Sequence, residues 1–362
     1  MLSKQNEQIW KRLHVPVSAL FELTPRCNLD CKMCYVHLTP EQMGDRRELS
    51  TEQWLRLTDE AVKAGLLYVT LTGGECMLHP GFWEIYEHLL ARGVAVSINT
   101  NAWALTDEDL ERFRQNCPSD FRVSLYGGSE EGYERCTGRR AFGRVKENVK
   151  KLRDAGFRVR IAIMLNRFTA EEISEMIRTA GELRVPVQYV SELNEPNPDT
   201  GRHLEDFDLS DERLVELYQE IRRLEGRRLF QNEPIRETPA MLPDDPACKG
   251  MRCGAGTCSY VIHWDGRMSP CFRFRHDVPV LELGFQAAWE AVMQASAEMQ
   301  QPVECEHCSL RPACSVCVFK RRDPNNPGHC NRRMCEMTIL RCNSGAIRFP
   351  KAAETADELL EC

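Results

Sequence analysis

Apolar and polar positions along this chain alternate between two periods. Residues 17–23 (VSALFEL) read as a strand. Residues 66–74 (LLYVTLTGG) form a short, apolar, β-rich run closed by two glycines, as a buried parallel strand does on entering a loop. Between them Ser50 is a good N-cap for a helix to about residue 64, with Leu55, Leu57, Ala61 and Val62 as its apolar stripe and Gly65 as its stop. The same pairing recurs as helix 81–91, strand 94–99, helix 106–115, strand 121–125, helix 141–155, strand 159–165, helix 169–183 and strand 187–190. A further helix is expected over 211–224, inside a proline-punctuated, charged stretch from 194 to 237. Strands that alternate with helices predict an α/β protein with a parallel sheet and crossover helices. The pattern alone does not separate an open doubly wound sheet from a barrel, because no G-x-G-x-x-G follows the first strand and there is no P-loop.

The 18 cysteines of the 362 residues change the picture. Cys27, Cys31 and Cys34 follow the first strand within eight residues, Cys76, Cys117 and Cys136 stand alone, and eleven of the rest crowd positions 248–342. No apolar run approaches the roughly 20 residues that span a bilayer, and the first residues lack the apolar stretch of a signal peptide. A cytoplasmic protein is therefore expected, where thiols stay reduced and clustered cysteines serve metals rather than disulfides. The net charge of −7 argues against general nucleic-acid binding. A closed zinc site takes four protein ligands. Three thiolates at x3 and x2 spacing can instead hold three irons of a 4Fe-4S cube and leave the fourth to a ligand.

C-x3-C-x2-C at the end of a strand resembles the signature of the radical S-adenosylmethionine (SAM) enzymes. That resemblance implies a partial (β/α)6 TIM-like barrel. In that family the open iron chelates SAM, whose reductive cleavage gives a 5′-deoxyadenosyl radical that abstracts hydrogen from a substrate. Thr72-Gly73-Gly74-Glu75 resembles the family's GGE motif, whose glycines would let backbone approach the ligand and whose carboxylate would suit the SAM amino group. Asn99 and Asn101 at the third strand end and Ser124 on the fourth match family contacts to ribose or carboxylate. Arg135 and Arg139 stand near the family's carboxylate-binding arginine, and Leu165, with Asn166, matches an adenine border.

The second half reads physically as two sulfurs, Cys253 and Cys258, then a hairpin turning at Asp265-Gly266, then Cys271 on the return. Cys305, Cys308, Cys314, Cys317, Cys330 and Cys335 follow, and paired CxxC units of this kind also suit two zinc sites. Beside the first motif they resemble the SPASM extension, which implies two auxiliary 4Fe-4S clusters and three clusters in all. Carried over, Cys253, Cys258, Cys271 and Cys317 would hold one, and Cys305, Cys308, Cys314 and Cys335 the other. The x2 spacing of Cys314 and Cys317 departs from the usual x3, and Cys330 competes with Cys335, which is preferred because Cys335-Glu336 resembles the family's terminal pair. Cys248, Cys342 and Cys362 are left over. The expected domains are an extension over 1–15, a radical SAM core over 16–235, a SPASM domain over 236–342 and a tail over 343–362.

SPASM enzymes mostly modify peptides, so the resemblance implies a ribosomally made peptide substrate, crosslinked or epimerised, and a one-electron donor such as flavodoxin or ferredoxin. About fifteen residues precede the first strand, too few for a leader-binding domain, so a separate leader-binding protein or the core itself would read the leader. Where sulfatase-maturing relatives carry an aspartate base after the cysteine, this chain has Phe272, which cannot take a proton. Cys76 directly follows the GGE motif; it is a candidate hydrogen donor or a small hydrophobe packed under the loop. A radical SAM enzyme of cofactor biosynthesis and a non-catalytic iron-sulfur or zinc scaffold are the alternatives.

Overall fold

β1 (Ser18–Glu22) is the strand around which the sheet is laid. In the computed structural model it pairs in parallel with β2 (Tyr68–Thr72), which leads outward through β3 (Ala95–Thr100), β4 (Asp120–Leu125), β5 (Val159–Met164) and β6 (Val187–Val190), all parallel. The structure describes residues 4–226 and 253–343 apart from Glu192, His307, Pro312, Ser315, Val316 and Pro324. The expected boundary at 235/236, Cys248, Cys362 and the tail beyond 343 lie outside these residues.

Each strand presents two faces because successive side chains point to opposite sides. One set is apolar and fully buried: Ala19 and Phe21, Val69 and Leu71, Val96 and Ile98, Phe121 and Val123, Ile161 and Ile163. It packs under the crossover helices, Phe21 against Trp54 of the helix Thr51–Ala64 with ring centroids 5.1 Å apart. Enclosing each such aromatic ring contributes about 1.5–3 kcal/mol. The alternate set, including Ser97, Asn99, Arg122 and Ser124, is polar and only half-buried. It forms the inner face of the partial barrel, and the cysteine loop and the Gly-Gly loop leave β1 and β2 at its carboxyl end.

The helices begin where capping chemistry put them. Ser50 accepts from the Gln53 amide and Gln53 answers the Ser50 amide, and Gly65 closes the helix in the left-handed region at φ 114°. Two elements depart from expectation. Helix 169–183 is two helices, Arg167–Glu171 and Ile173–Leu183, broken at Glu172. The Glu172 carboxylate accepts from the Gly128 and Ser129 amides and the Ser129 hydroxyl. An eight-residue helix, Glu130–Thr137, was not read from the sequence, although Ser129 caps it and Gly138 ends it.

The compact units of the fold are each made from two stretches of chain. One compact unit comprises residues up to Asp208 together with Gly256–Met293; the second comprises Leu209–Ala255 and Gln294 onward. β7 (Ser259–Ile262) pairs in parallel with β1, and β8 (Arg267–Ser269) and β9 (Val278–Pro279) continue antiparallel, so the hairpin assigned to the cysteine-rich domain extends the barrel sheet. Its turn lies at Asp265-Gly266, with Gly266 at φ 80°. Helix Asp211–Leu224, assigned to the core, instead packs on helix Arg332–Asn343 in the second unit, where Arg333 Nε donates to Asp211 Oδ1 at 2.9 Å.

Candidate active site

The loop after β1 carries Cys27, Cys31 and Cys34 and is tied down from several sides. The Asp30 and Lys32 amides donate to the Thr137 and Cys136 carbonyls at 2.9 and 3.0 Å, and the Asn197 amide donates to the Cys34 carbonyl at 3.2 Å. Arg202 clamps the loop from above: its guanidinium donates to both Asp30 carboxylate oxygens at 2.9 Å and to the Cys31 carbonyl at 3.1 Å. No signal in the sequence pointed to Arg202, which lies 171 positions from Cys31.

Amides face the sulfurs: Leu29 N–H donates to Cys27 Sγ at 3.4 Å and His37 N–H to Cys34 Sγ at 3.2 Å. Burial pushes the Cys27 thiol up to about 12, against the Leu29 amide. Cys34 is likewise raised by burial, and Cys31 is raised by burial and by the neighbouring Cys136, Cys34 and Cys27. The chain alone therefore keeps these thiols protonated, and a cationic iron core is the partner that would make them thiolates. Three neighbouring sulfurs, with amide donors already aimed at Cys27 and Cys34, fit a 4Fe-4S cluster. Among the described residues no three His, Cys, Asp or Glu side chains are grouped as for a single metal ion.

Gly73 and Gly74 serve this loop directly. A Cβ on Gly73, at φ 140°, would stand 2.5 Å from the Thr24 carbonyl oxygen, and one on Gly74 would stand 2.4 Å from that of Arg26. The Gly74 and Glu75 amides donate to those same carbonyls at 2.8 Å. The glycines thus admit the cysteine loop's own backbone, where the expectation was close approach to a ligand. Glu75 is also tied into the chain. Its carboxylate is buried and accepts from Thr100 Oγ1 at 2.9 Å, from the Asn101 amide at 2.8 Å and from the Met77 amide at 3.4 Å, which makes it a brace between the ends of β2 and β3.

Asn101 reaches back to the cysteine loop, donating to Asn28 Oδ1 at 2.7 Å and lying 3.7 Å from Cys27 Sγ. Asn99 Oδ1 and Asn28 Nδ2 are buried with no hydrogen-bond partner in the chain. Such orphaned groups cost about 1–3 kcal/mol each unless a ligand satisfies them. Both flank the cysteine loop on the inner face, with Ser124 on β4 level with Asn101, one step beyond the Thr100–Val123 pair. Asn28, Asn99, Asn101 and Ser124 are the residues that would hold SAM, which supplies the radical when bound.

The remaining expectations fare differently. Arg135 is spent on Glu171 and Glu172 at 3.2 and 3.4 Å, so its charge is already matched. Arg139 is exposed beyond Gly138, with Asp30 within its field. Leu165 is fully enclosed and Asn166 is used up capping Arg167–Glu171, so neither offers a surface to adenine. Cys76 is wholly buried, its thiol donating to the Asn99 carbonyl at 3.4 Å, and burial pushes it far up. With its hydrogen committed to the Asn99 carbonyl, Cys76 packs under the loop. Cys76→Ala is expected to leave SAM cleavage and product stereochemistry unchanged while costing about 1 kcal/mol of stability, read by 5′-deoxyadenosine yield and thermal melting.

In the second unit Cys305, Cys308, Cys314, Cys330 and Cys335 line one cavity together with Glu304, Arg311 and Arg321. Both competitors for the last position are therefore inside it. Burial raises Cys305 to about 11 and Cys335 to about 12, and Arg321, itself buried, lies 3.8 Å from Cys305 Sγ and donates to Gln301 at 2.5 Å. Five thiols beside a buried guanidinium fit an anionic iron-sulfur cluster. Of the other expected set, Cys258 and Cys271 belong to the first unit and Cys253 and Cys317 to the second. Cys342 is buried.

Residues 21–180 match the family described as the Radical SAM superfamily. This stretch is a radical SAM domain. Its relatives include the antilisterial bacteriocin subtilosin biosynthesis protein AlbA of Bacillus subtilis, 26% identical over 86% of this chain and 69% of that protein. They also include the AdoMet-dependent heme synthase of Methanosarcina barkeri, 26% identical over 85% of this chain and 90% of that protein. In fold the chain resembles SuiB of Streptococcus suis, crystallised with the precursor peptide SuiA: TM-score 0.62, 16% identity, 99% of this chain and 80% of that one. No helix among the described residues is long and apolar enough to cross a membrane.

Proposed function

We propose that this radical SAM enzyme modifies a ribosomally synthesised peptide by hydrogen abstraction from an unactivated C–H bond. The observation that carries this reading is the alignment with AlbA, a bacteriocin biosynthesis protein, over 86% of the chain, a span that takes in both the radical SAM region and part of the cysteine-rich half. Two auxiliary clusters belong to the proposal, one on the carried-over set Cys253, Cys258, Cys271 and Cys317, and one held by four of the five cysteines of the second-unit cavity. Fully protein-coordinated clusters of this kind carry electrons. A flavodoxin or ferredoxin would supply the reducing electron, and a separate protein or the core itself would read the leader. The match to a heme synthase favours a second reading, oxidation of a small molecule at the same inner face.

The deciding experiment uses anaerobically reconstituted enzyme, SAM, dithionite and, as candidate substrates, synthetic peptides translated from short reading frames next to the gene. Peptide-stimulated 5′-deoxyadenosine together with a mass change in the peptide is the expected result. Cleavage of SAM without any change in the peptide would overturn the peptide reading in favour of the small-molecule one.

A further inference from the structure

Glu22 ends β1 on the inner face, and His263 stands level with it one step beyond β7, since Phe21 pairs with Ile262. Both side chains are almost wholly enclosed, 3% and 2% exposed, with Glu22 Oε2 and His263 Nδ1 2.5 Å apart. His263 Nε2 lies 3.1 Å from Ser269 Oγ, and Ser269 donates its hydroxyl hydrogen to Asp277 Oδ1 at 2.9 Å. These contacts fix the protons. Ser269 has one hydrogen and gives it to a carboxylate, so it must accept from His263, and Nε2 carries a proton. The Nδ1–Oε2 contact then needs a second proton between them, since a bare carboxylate facing a bare nitrogen would repel. The pair is thus neutral overall and holds one shared proton.

The other carboxylate oxygen, Glu22 Oε1, is buried with no hydrogen-bond partner in the chain. Its surroundings are the cysteine loop: the charge of Glu22 is felt at Cys34 and Tyr35, and the Tyr35 ring meets Phe272 at 5.1 Å, which in turn meets the His263 ring at 6.5 Å. At the far end the Asp277 side chain is 26% exposed, with Arg267 and Arg275 beside it at 3.8 and 3.4 Å. Burial raises the Asp277 carboxyl, but Arg275 and the Ser269 hydroxyl outweigh it and hold it below the usual range, so a proton arriving there passes to water.

We propose that Glu22, His263, Ser269 and Asp277 form a proton relay that removes one proton from the substrate at the inner face and delivers it to solvent. The proposal rests on the radical SAM reading of the site and deepens it. When a substrate group X–H joins the carbon radical, the X–C bond forms and the X–H bond breaks. The electron left over goes to a one-electron acceptor of the iron-sulfur class, and the proton goes to Glu22 Oε1. The shared proton then shifts onto His263 Nδ1, the Nε2 proton moves to Ser269, and the Ser269 proton moves to Asp277. Phe272 leaves this neighbourhood without a base of its own, and Glu22 supplies one.

The test separates abstraction from proton removal. With holoenzyme, SAM, dithionite and the same candidate peptides, Glu22→Gln is expected to keep peptide-stimulated 5′-deoxyadenosine within twofold of wild type and to lower modified peptide by about 10²–10⁴-fold. Ser269→Ala, which leaves every charge in place, is expected to shift the pH profile of product formation. Product within a few-fold of wild type in Glu22→Gln, or a joint fall of product and 5′-deoxyadenosine, would overturn the relay. If wild-type enzyme leaves the peptide unchanged, the peptide reading fails instead. The relay is then judged by ¹⁵N-histidine NMR of the holoenzyme, which needs no substrate. A proton on His263 Nε2 and a shared one at Nδ1 support it; a bare Nε2 overturns it.

Discussion

Replacing Cys27, Cys31 and Cys34 together by alanine is expected to abolish reductive cleavage of SAM and to lower reconstituted iron from about 12 to about 8 per chain, four irons being one cube. The loop that holds these thiols is fixed by bonds the substitution leaves intact: the amides of Asp30 and Lys32, the carbonyl of Cys34 and the Arg202 clamp. The barrel should therefore fold and keep its helical signal, while the remaining iron reports the cysteine-rich half alone. Iron and acid-labile sulfide after anaerobic reconstitution check the outcome. About 4 iron falling to none, with zinc present, would remove both auxiliary clusters from the proposal.

Gly74→Ala is expected to have nearly as large an effect without touching a ligand. Its Cβ would stand 2.4 Å from the Arg26 carbonyl oxygen and 2.8 Å from that of Pro25, both backbone atoms that cannot swing aside. The cysteine loop must move, and with it the amides aimed at Cys27 and Cys34, so the variant should lose about the same four irons as the triple substitution. Gly181 is the control: it lies inside helix Ile173–Leu183 with nothing within 4 Å of its added Cβ. Alanine there should add about 0.4–1 kcal/mol of stability and leave iron content unchanged.

The strands of the barrel and the cysteine triad were legible in the sequence because each rests on local chemistry: alternation along a strand, a serine cap, three sulfurs within eight residues. What escaped depended on residues far apart. β7 reads as half of a hairpin, and nothing local says that its other edge takes β1, more than 230 positions earlier, in the register Ser18 to Ser259. The break at Glu172 follows from a carboxylate drawn to amides 43 and 44 positions away. The bonds of Glu75 to Thr100 and of Cys76 to the Asn99 carbonyl were not legible, since sequence gives position along the chain and not the neighbours a side chain finds across the sheet. Glu22 and His263 did carry a signal, an ionisable residue at the end of one mainly apolar strand and directly after another; buried charge there needs a partner.

The pairing of β1 with both β2 and β7 bears on how the chain can be cut and how it folds. A fragment ending with the matched region at residue 180 would contain β1 to β5 and would lack β7, the neighbour on the far side of β1. It would leave Ser18–Phe21 as an open edge, with unpaired amides and carbonyls flanked by Val17, Phe21 and Leu23, a template for association with other copies. During synthesis the same edge stays open until Ser259–Ile262 has emerged, so the strand that bears the cysteine loop is the last of the parallel set to be closed on both sides.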